Sequence, residues 1–376
     1  MEDFVGQTSR EDSAARYGGK IIWEKCRQDN REISKFHIRG EGMSRRRAWF
    51  ISPMVIASAC FFTLLFSDSG GATTQGKPEP TMASTPKGTV WKYDYFDNFY
   101  DVSPVNSREI WIVGNSGKIL HSGDEGKSWT IQVSGIKEDL YSASFIDVRR
   151  GWCAGSNGLI LHTEDGGVTW ARQTTGTTHP IFRIQFLSEK VGFACGYFGL
   201  ILRTTDGGRT WENKSLGEDV ALRGMSFLNE KTGFIVGEFG TMLKTADGGS
   251  SFTRLTSPVA NTLFAIFFFD ANSGYASGID GCLLATIDGG RTWRKEDSGT
   301  KDHLIGIRSN GLFAVAVGLR GAVRVKAGGG KWVAVDGKTF NWLSGIYLDR
   351  DRKGLAVGAH GTIIRLEEIL PKGKEK

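Results

Sequence analysis

Asp124, Asp165, Asp206, Asp247 and Asp288 stand 41 residues apart, in turns of the type "TTDGGRTW", and Trp129, Trp170, Trp211, Phe252 and Trp293 keep the same register. A fixed period of this length marks an array of similar units that bury a continuous core only by stacking on one another. A pair of glycines, in "VGNSG" through "VGAHG", recurs seven times, beginning at Gly114, Gly155, Gly196, Gly237, Gly278, Gly318 and Gly358. The last two steps shorten to 40 residues, and the sixth Asp turn has decayed to "KAGGGKW", with Gly328 in the place of the aspartate.

Between the markers lie short runs rich in β-branched and aromatic residues, such as "LYSASFID", "RGWCAG", "GLILHT" and "TWARQT", each bounded by Gly, Asp or Asn. These are four strands per unit, here lettered A to D, joined by hairpins. Four-stranded units of about 40 residues, repeated seven times, predict an all-β, seven-bladed propeller. The glycine pair is expected to supply positive-φ residues to the B–C hairpin. The aspartate should accept hydrogen bonds within its own C–D turn, as Asx turns do. The tryptophan after it should fill the space between sheets. Asp124, Asp165, Asp206, Asp247 and Asp288, with Trp129, Trp170, Trp211 and Trp293, are therefore read as structural.

Seven glycine pairs but six following C–D turns leave the last blade one strand short. "GTVWKYDY", residues 88–95 with Trp91, is expected to complete it beside "GTIIRLE" and close the ring non-covalently, removing an exposed edge. The propeller then spans residues 88–370, followed by a charged tail, residues 371–376.

Residues 1–47 are polar, with 11 Lys plus Arg against 8 Asp plus Glu, and end in "SRRR". Residues 48–67, "AWFISPMVIASACFFTLLFS", carry no charge over a length that crosses a bilayer of about 30 Å. Arg45, Arg46 and Arg47 precede this segment, so the positive-inside rule predicts a cytoplasmic tail (1–47), a transmembrane signal anchor (48–67), a flexible linker (68–87) and a propeller on the periplasmic side of the cytoplasmic membrane. A start at Met43, with cleavage near Ala72, is the alternative and also exports the propeller. Cys153 and Cys195 lie one residue off the repeat register, so they should face opposite sides of their strands and form no disulfide.

The six histidines are scattered, and neither metal-ligand spacing nor a phosphate loop, nucleophile elbow or dinucleotide fingerprint is present. No catalytic residue, metal or cofactor is expected. A net charge of +6 without RNA-binding motifs does not argue for nucleic acid. The Asp turns belong to the BNR or Asp-box repeat, first associated with sialidases, so a carbohydrate-binding or hydrolysing propeller is the alternative reading. Glycosidases need paired carboxyl or tyrosine groups on a concave surface. Aligning the A strands places Ser142, Arg183, Gly224, Ala265, Ile305 and Gly345 in one ring, and Ser144, Gln185, Ser226, Phe267, Ile307 and Tyr347 in the next, with no carboxylate in either.

A charge recurs after the apolar centre of strand C, as His121, His162, Arg203, Lys244, Arg324 and Arg365, with Ala285 in the fifth blade. It is densest where Arg203 and Lys244 adjoin Arg183 and Arg223, near B–C tips that carry Tyr197, Phe198 and Phe239. Arginine beside exposed aromatics is the usual composition of a protein-binding hot spot.

Seven blades of the form "G(F/W)xxGxxGxILxTxDGGxTW" behind one membrane-targeting segment resemble the photosystem II stability and assembly factor family. The resemblance implies a propeller that binds a newly made subunit of a membrane complex, such as a reaction centre, through an arginine patch across neighbouring blades; separately, a monomer is expected. Arg183, Arg203 and Arg223 are the residues it points to, with Lys244, Tyr197, Phe198 and Phe239 beside them. The polar N-terminal tail departs from the photosynthetic members.

Overall fold

A computed structural model describes residues 89–371 in full and, further upstream, the backbone of residues 21–28 and 31–38. The chain divides into two units, Met1–Thr81 and Met82–Lys376. In the first, Ile21–Gln28 pairs antiparallel with Arg31–Ile38, a hairpin within the stretch read as a polar tail. The expected anchor at 48–67 and the linker at 68–87 lie outside the described residues, as do residues 372–376. Among the described residues no helix is long and apolar enough to cross a membrane.

The second unit is a seven-bladed propeller. Five of its sheets have four strands in the order A-B-C-D, the first has five and the seventh has three. The third blade is representative: A is Ile181–Phe186, B is Gly192–Gly196, C is Ile201–Thr204 and D is Glu212–Asn213. The B strands are buried along their whole length, apart from the half-buried Tyr275 and Phe313 in the fifth and sixth blades, as expected of strands covered on both faces.

Neighbouring blades meet through stacked aromatics. Trp152 of the second blade stacks on Phe186 of the third at 3.5 Å, and Trp211 meets that ring edge-on at 5.8 Å. Trp111, Phe145 and Trp170 repeat the arrangement one blade earlier, and Phe234, Phe268 and Trp293 two blades later. Cys153 packs toward the first blade and Cys195 toward the fourth, so the two face opposite ways as their one-residue offset requires.

The Asp turn is a closed hydrogen-bonded unit. Asp206 Oδ1 accepts from Thr204 Oγ1 (2.8 Å) and Thr210 N (2.9 Å), and Oδ2 accepts from Thr210 Oγ1 (2.7 Å). The buried Thr204 hydroxyl in turn accepts from Gly208 N at 2.8 Å. These bonds to the ionised form hold the carboxyl below its usual pKa, led by the Thr210 amide. In the sixth blade, where the aspartate is gone, Glu296 of the neighbouring D strand binds both Lys326 (2.8 Å) and the Trp332 indole (2.7 Å).

Ring closure differs from the expectation. Thr89–Val90 does not complete the seventh blade; it pairs with the D strand of the first, Thr130–Gln132, as a fifth strand. The seventh blade holds Leu343–Leu348, Gly354–Gly358 and Ile363–Arg365, and then turns into a short helix, Leu366–Ile369. Leu366 and Leu370 of that helical turn pack among Val315, Leu348 and Ala356, the slot that a box tryptophan fills in other blades. With the slot occupied, no D strand is needed there. Trp91 instead packs at the junction of the first and seventh blades with Phe99 and Leu355. The chain after it closes the ring along the seventh blade's tip, where Gly361 N donates to Asp97 O at 2.6 Å.

Candidate functional site

One face of the propeller is formed by the B–C tips and the starts of the A strands. At each tip the second glycine has positive φ, as expected, +63° at Gly199 and +67° at Gly240. The first is extended and is glycine for space: a Cβ on Gly155 would meet Asp139 O at 1.8 Å. The residue before the second glycine is also left-handed in every blade. Ser, Asn and Asp suit that conformation, but the third and fourth blades place Phe198 (φ 59°) and Phe239 (φ 56°) there. A bulky side chain at positive φ is strained. Both rings are nevertheless displayed, Phe198 43% and Phe239 67% exposed, with Tyr197 at 42%.

Beside these tips runs an aromatic ladder made by the second residue of the first three A strands, with Trp342, the residue before the seventh A strand, at its head. Trp342 stacks on Tyr100 at 5.8 Å, Tyr100 meets Tyr141 at 5.5 Å, and Tyr141 meets Phe182 at 5.9 Å. Arg223 then lies 4.3 Å over the Phe182 ring and 3.4 Å from Glu238 of the fourth tip. Burial lowers the Arg223 pKa, and Glu238 opposes the shift. Burial, reinforced by Asp139, raises both tyrosine pKa values and keeps the phenols as donors. His179 stacks on Phe198 at 5.5 Å. The ladder was legible as a row at the repeat spacing, Tyr100, Tyr141, Phe182, Arg223 and Phe264, but the two A-strand rows aligned in the sequence lie one and three residues further along.

The predicted basic patch does not assemble. Lys244 Nζ donates to Gly289 O (2.9 Å) in the next blade's Asp turn, and Arg365 Nη2 to Glu125 O (3.0 Å) in the first. Arg203 lies 3.5 Å from Glu212 and reaches toward Gly248 of the fourth blade's turn. These C-strand cations fasten one blade to the next, and strand pairing gives the sixth position of the row to Val325, opposite Val315, not to Arg324. Of the predicted residues, Arg223, Tyr197, Phe198 and Phe239 share the tip face.

Arg183 lies elsewhere, in the central channel, 3.0 Å from Asp101. Asp101 and Ser103, from the first blade, complete the two rings, so one ring does contain a carboxylate. In the sixth blade the ring members are Gly306 and Arg308 rather than Ile305 and Ile307. The residue lost from that repeat falls in the A–B loop, since Leu263 pairs with Gly278 but Leu304 with Gly318, and the A strand keeps the 41-residue step. A Cβ on Gly306 would lie 2.4 Å from Ser344 O, which explains the glycine where inner strands converge. The second ring is a polar belt: Ser103 Oγ accepts from Phe145 N, Ser144 Oγ from Phe186 N, Gln185 Oε1 from Phe227 N and Ser226 Oγ from Phe268 N, at 2.9 to 3.2 Å. Each bond satisfies an amide on an inner strand edge.

Among the described residues no group of three His, Cys, Asp or Glu side chains could hold a metal. Asp101, the carboxylate in the channel lining, accepts from Arg183, Ser142 Oγ and Ala143 N.

The family described as photosynthesis system II assembly factor YCF48 matches residues 87–161 and 173–258. Among solved structures, YCF48 bound to D1 peptide is 18% identical with a TM-score of 0.63, covering 76% of this chain and 98% of that chain. YCF48 from Cyanidioschyzon merolae is 18% identical at 0.62, covering 74% and 98%. A GH74 xyloglucanase from Xanthomonas campestris is 12% identical at 0.61, covering 74% of this chain and 53% of its own. No curated protein matches the sequence. The repeat, the seven blades and the family match over residues 87–161 and 173–258 together make the chain similar to the photosystem II assembly factor YCF48 and support a family of that kind.

Proposed function

We propose that this propeller is a non-catalytic assembly or stability factor that holds a polypeptide of a membrane protein complex on its tip face over the second to fourth blades. The observation that carries this reading is the pairing of a continuous aromatic ladder, ending in Arg223, with three aromatic tip residues, two of them held at positive φ. Rigid aromatics and arginine supply large contact area at small entropic cost, the composition of binding hot spots. The likeness to YCF48 bound to D1 peptide supports a polypeptide partner. Asp101 is held by Arg183, whereas the paired-carboxylate chemistry of glycosidases needs two such groups free to act.

Residues 48–67 tether the protein to the cytoplasmic membrane in this reading, with the propeller on the extracytoplasmic side acting as a monomer. The test is crosslinked capture by the full-length protein in its own membranes, read by mass spectrometry, beside a variant carrying Arg223→Glu, Phe198→Ala and Phe239→Ala. Subunits of one membrane complex should be recovered by the wild type and lost from the variant. Equal recovery by the variant would remove the tip face from the reading, and recovery of glycan alone would restore the carbohydrate alternative.

A further inference from the structure

The central channel carries one more positive charge than it neutralises. Its cavity, about 370 Å³, is lined by the inner A strands, and the charged residues lining it are Asp101, Arg183 and Arg308. Asp101 is fully engaged, by Arg183 (3.0 Å), Ser142 Oγ (2.8 Å) and Ala143 N (3.2 Å). Arg308 is not. It occupies the belt position from which Ser103, Ser144, Gln185 and Ser226 bond the next blade, yet its Nη1 turns back to Ile307 O of its own strand at 2.9 Å. Its guanidinium carbon stands 5.0 Å from the centre of the Phe267 ring, and among the described residues no carboxylate lies within ion-pair distance. Burial pushes its pKa down to about 10, with Asp101 opposing and Arg183 adding to the shift, so it is charged at neutral pH. A half-buried cation without a counter-ion in ion-pair contact is partly desolvated with nothing to offset it. Serine or glutamine at this position would avoid that cost and complete the belt.

We propose that the channel binds a small carboxylate, with Arg308 as its anchoring cation. A single negative charge balances Asp101, Arg183 and Arg308 together, whereas a dianion would overshoot. The planar guanidinium matches a carboxylate through two parallel N–H···O bonds. Phe267 offers an apolar wall to a short alkyl group, and the cavity lies at the small end of the range for small-molecule sites. The site is independent of docking at the tip face.

Isothermal titration of the full-length protein with acetate and propionate, with chloride and phosphate at matched ionic strength, tests it beside thermal melts. The expected result is one saturable carboxylate site, with no comparable effect of chloride or phosphate. Arg308→Gln should weaken it at least tenfold, while melting no lower than the wild type without added anion, because the substitution removes an uncompensated cation. Arg308→Lys, which keeps the charge but not the fork, should retain part of the affinity. An equal carboxylate response in Arg308→Gln, phosphate bound as tightly as acetate, or an Arg308→Gln protein that unfolds without anion would each overturn the proposal.

Discussion

The third and seventh blades solve the same packing problem with different chemistry. In the third, Trp211 enters the slot against the second blade beside Phe186 and Leu202, and the Asp206 turn fixes the strand that carries it. In the seventh the equivalent slot receives Leu366 and Leu370 from a helical turn, with no Asp box and no D strand. The invariant requirement is therefore apolar volume between sheets, and the aspartate is one means of holding that volume in place. The sixth blade supports this, since Trp332 keeps its place through Glu296 and Lys326 after the aspartate has been lost.

This comparison predicts that the largest loss comes from emptying the slot that has no turn to hold it. Leu366→Ala with Leu370→Ala removes two buried side chains and should cost about 4 to 8 kcal/mol, comparable with the whole stability of an ordinary domain. Chemical denaturation would show it, and a loss below 1 kcal/mol would mean that the helical turn is not the plug. Trp211→Ala, at a slot that is partly open, should cost about 3 kcal/mol by the same measurement. Asp206→Ala leaves the volume and removes only the turn bonds, about 0.5 to 2 kcal/mol, without changing partner capture. Loss of capture at full stability would show that the box does more than hold the fold.

Acid should separate the two kinds of blade. Asp124 is held down to about 2, first by the Ser128 hydroxyl, and Asp247 to about 2 by Ser251. A carboxyl depressed on folding stabilises fully above its unfolded pKa of about 4 and loses that contribution as pH falls toward 2. Hydrogen exchange between pH 4 and 2 should therefore rise in the Asp-box turns of the first five blades before it rises beside Leu366. The smallest effect, under about 1 kcal/mol, is expected for Thr89→Pro, because a two-residue outer strand contributes little to the sheet. A collapse in stability there would make Thr89–Val90 the true clasp of the ring.

Blade number, strand order and the Asp turn were legible because they are local. The bonds of Asp206 reach only from Thr204 to Thr210, so their residues lie together in sequence and recur at the period. The candidate site was half legible. Tyr197, Phe198 and Phe239 stand at turns that the glycines mark, and Arg223 sits where strand A begins. Arg203 and Lys244 read as free in the sequence because a cation on a C strand meets its partner only in the neighbouring blade, Gly289 O for Lys244. Asp101 was missed because counting began at the second blade, and Arg308 because the deletion in the sixth repeat falls after its A strand and not before it.

The sequence by itself determined the repeating unit and its internal hydrogen bonds, since both are set by residues a few positions apart and by a 41-residue period. Only the tertiary structure decided what lies between units: which blade Thr89–Val90 joins, which side chains fill each slot, and that Asp101, Arg183 and Arg308 share one channel. Those outcomes depend on radial packing that brings together residues tens to hundreds of positions apart, and no local pattern records it.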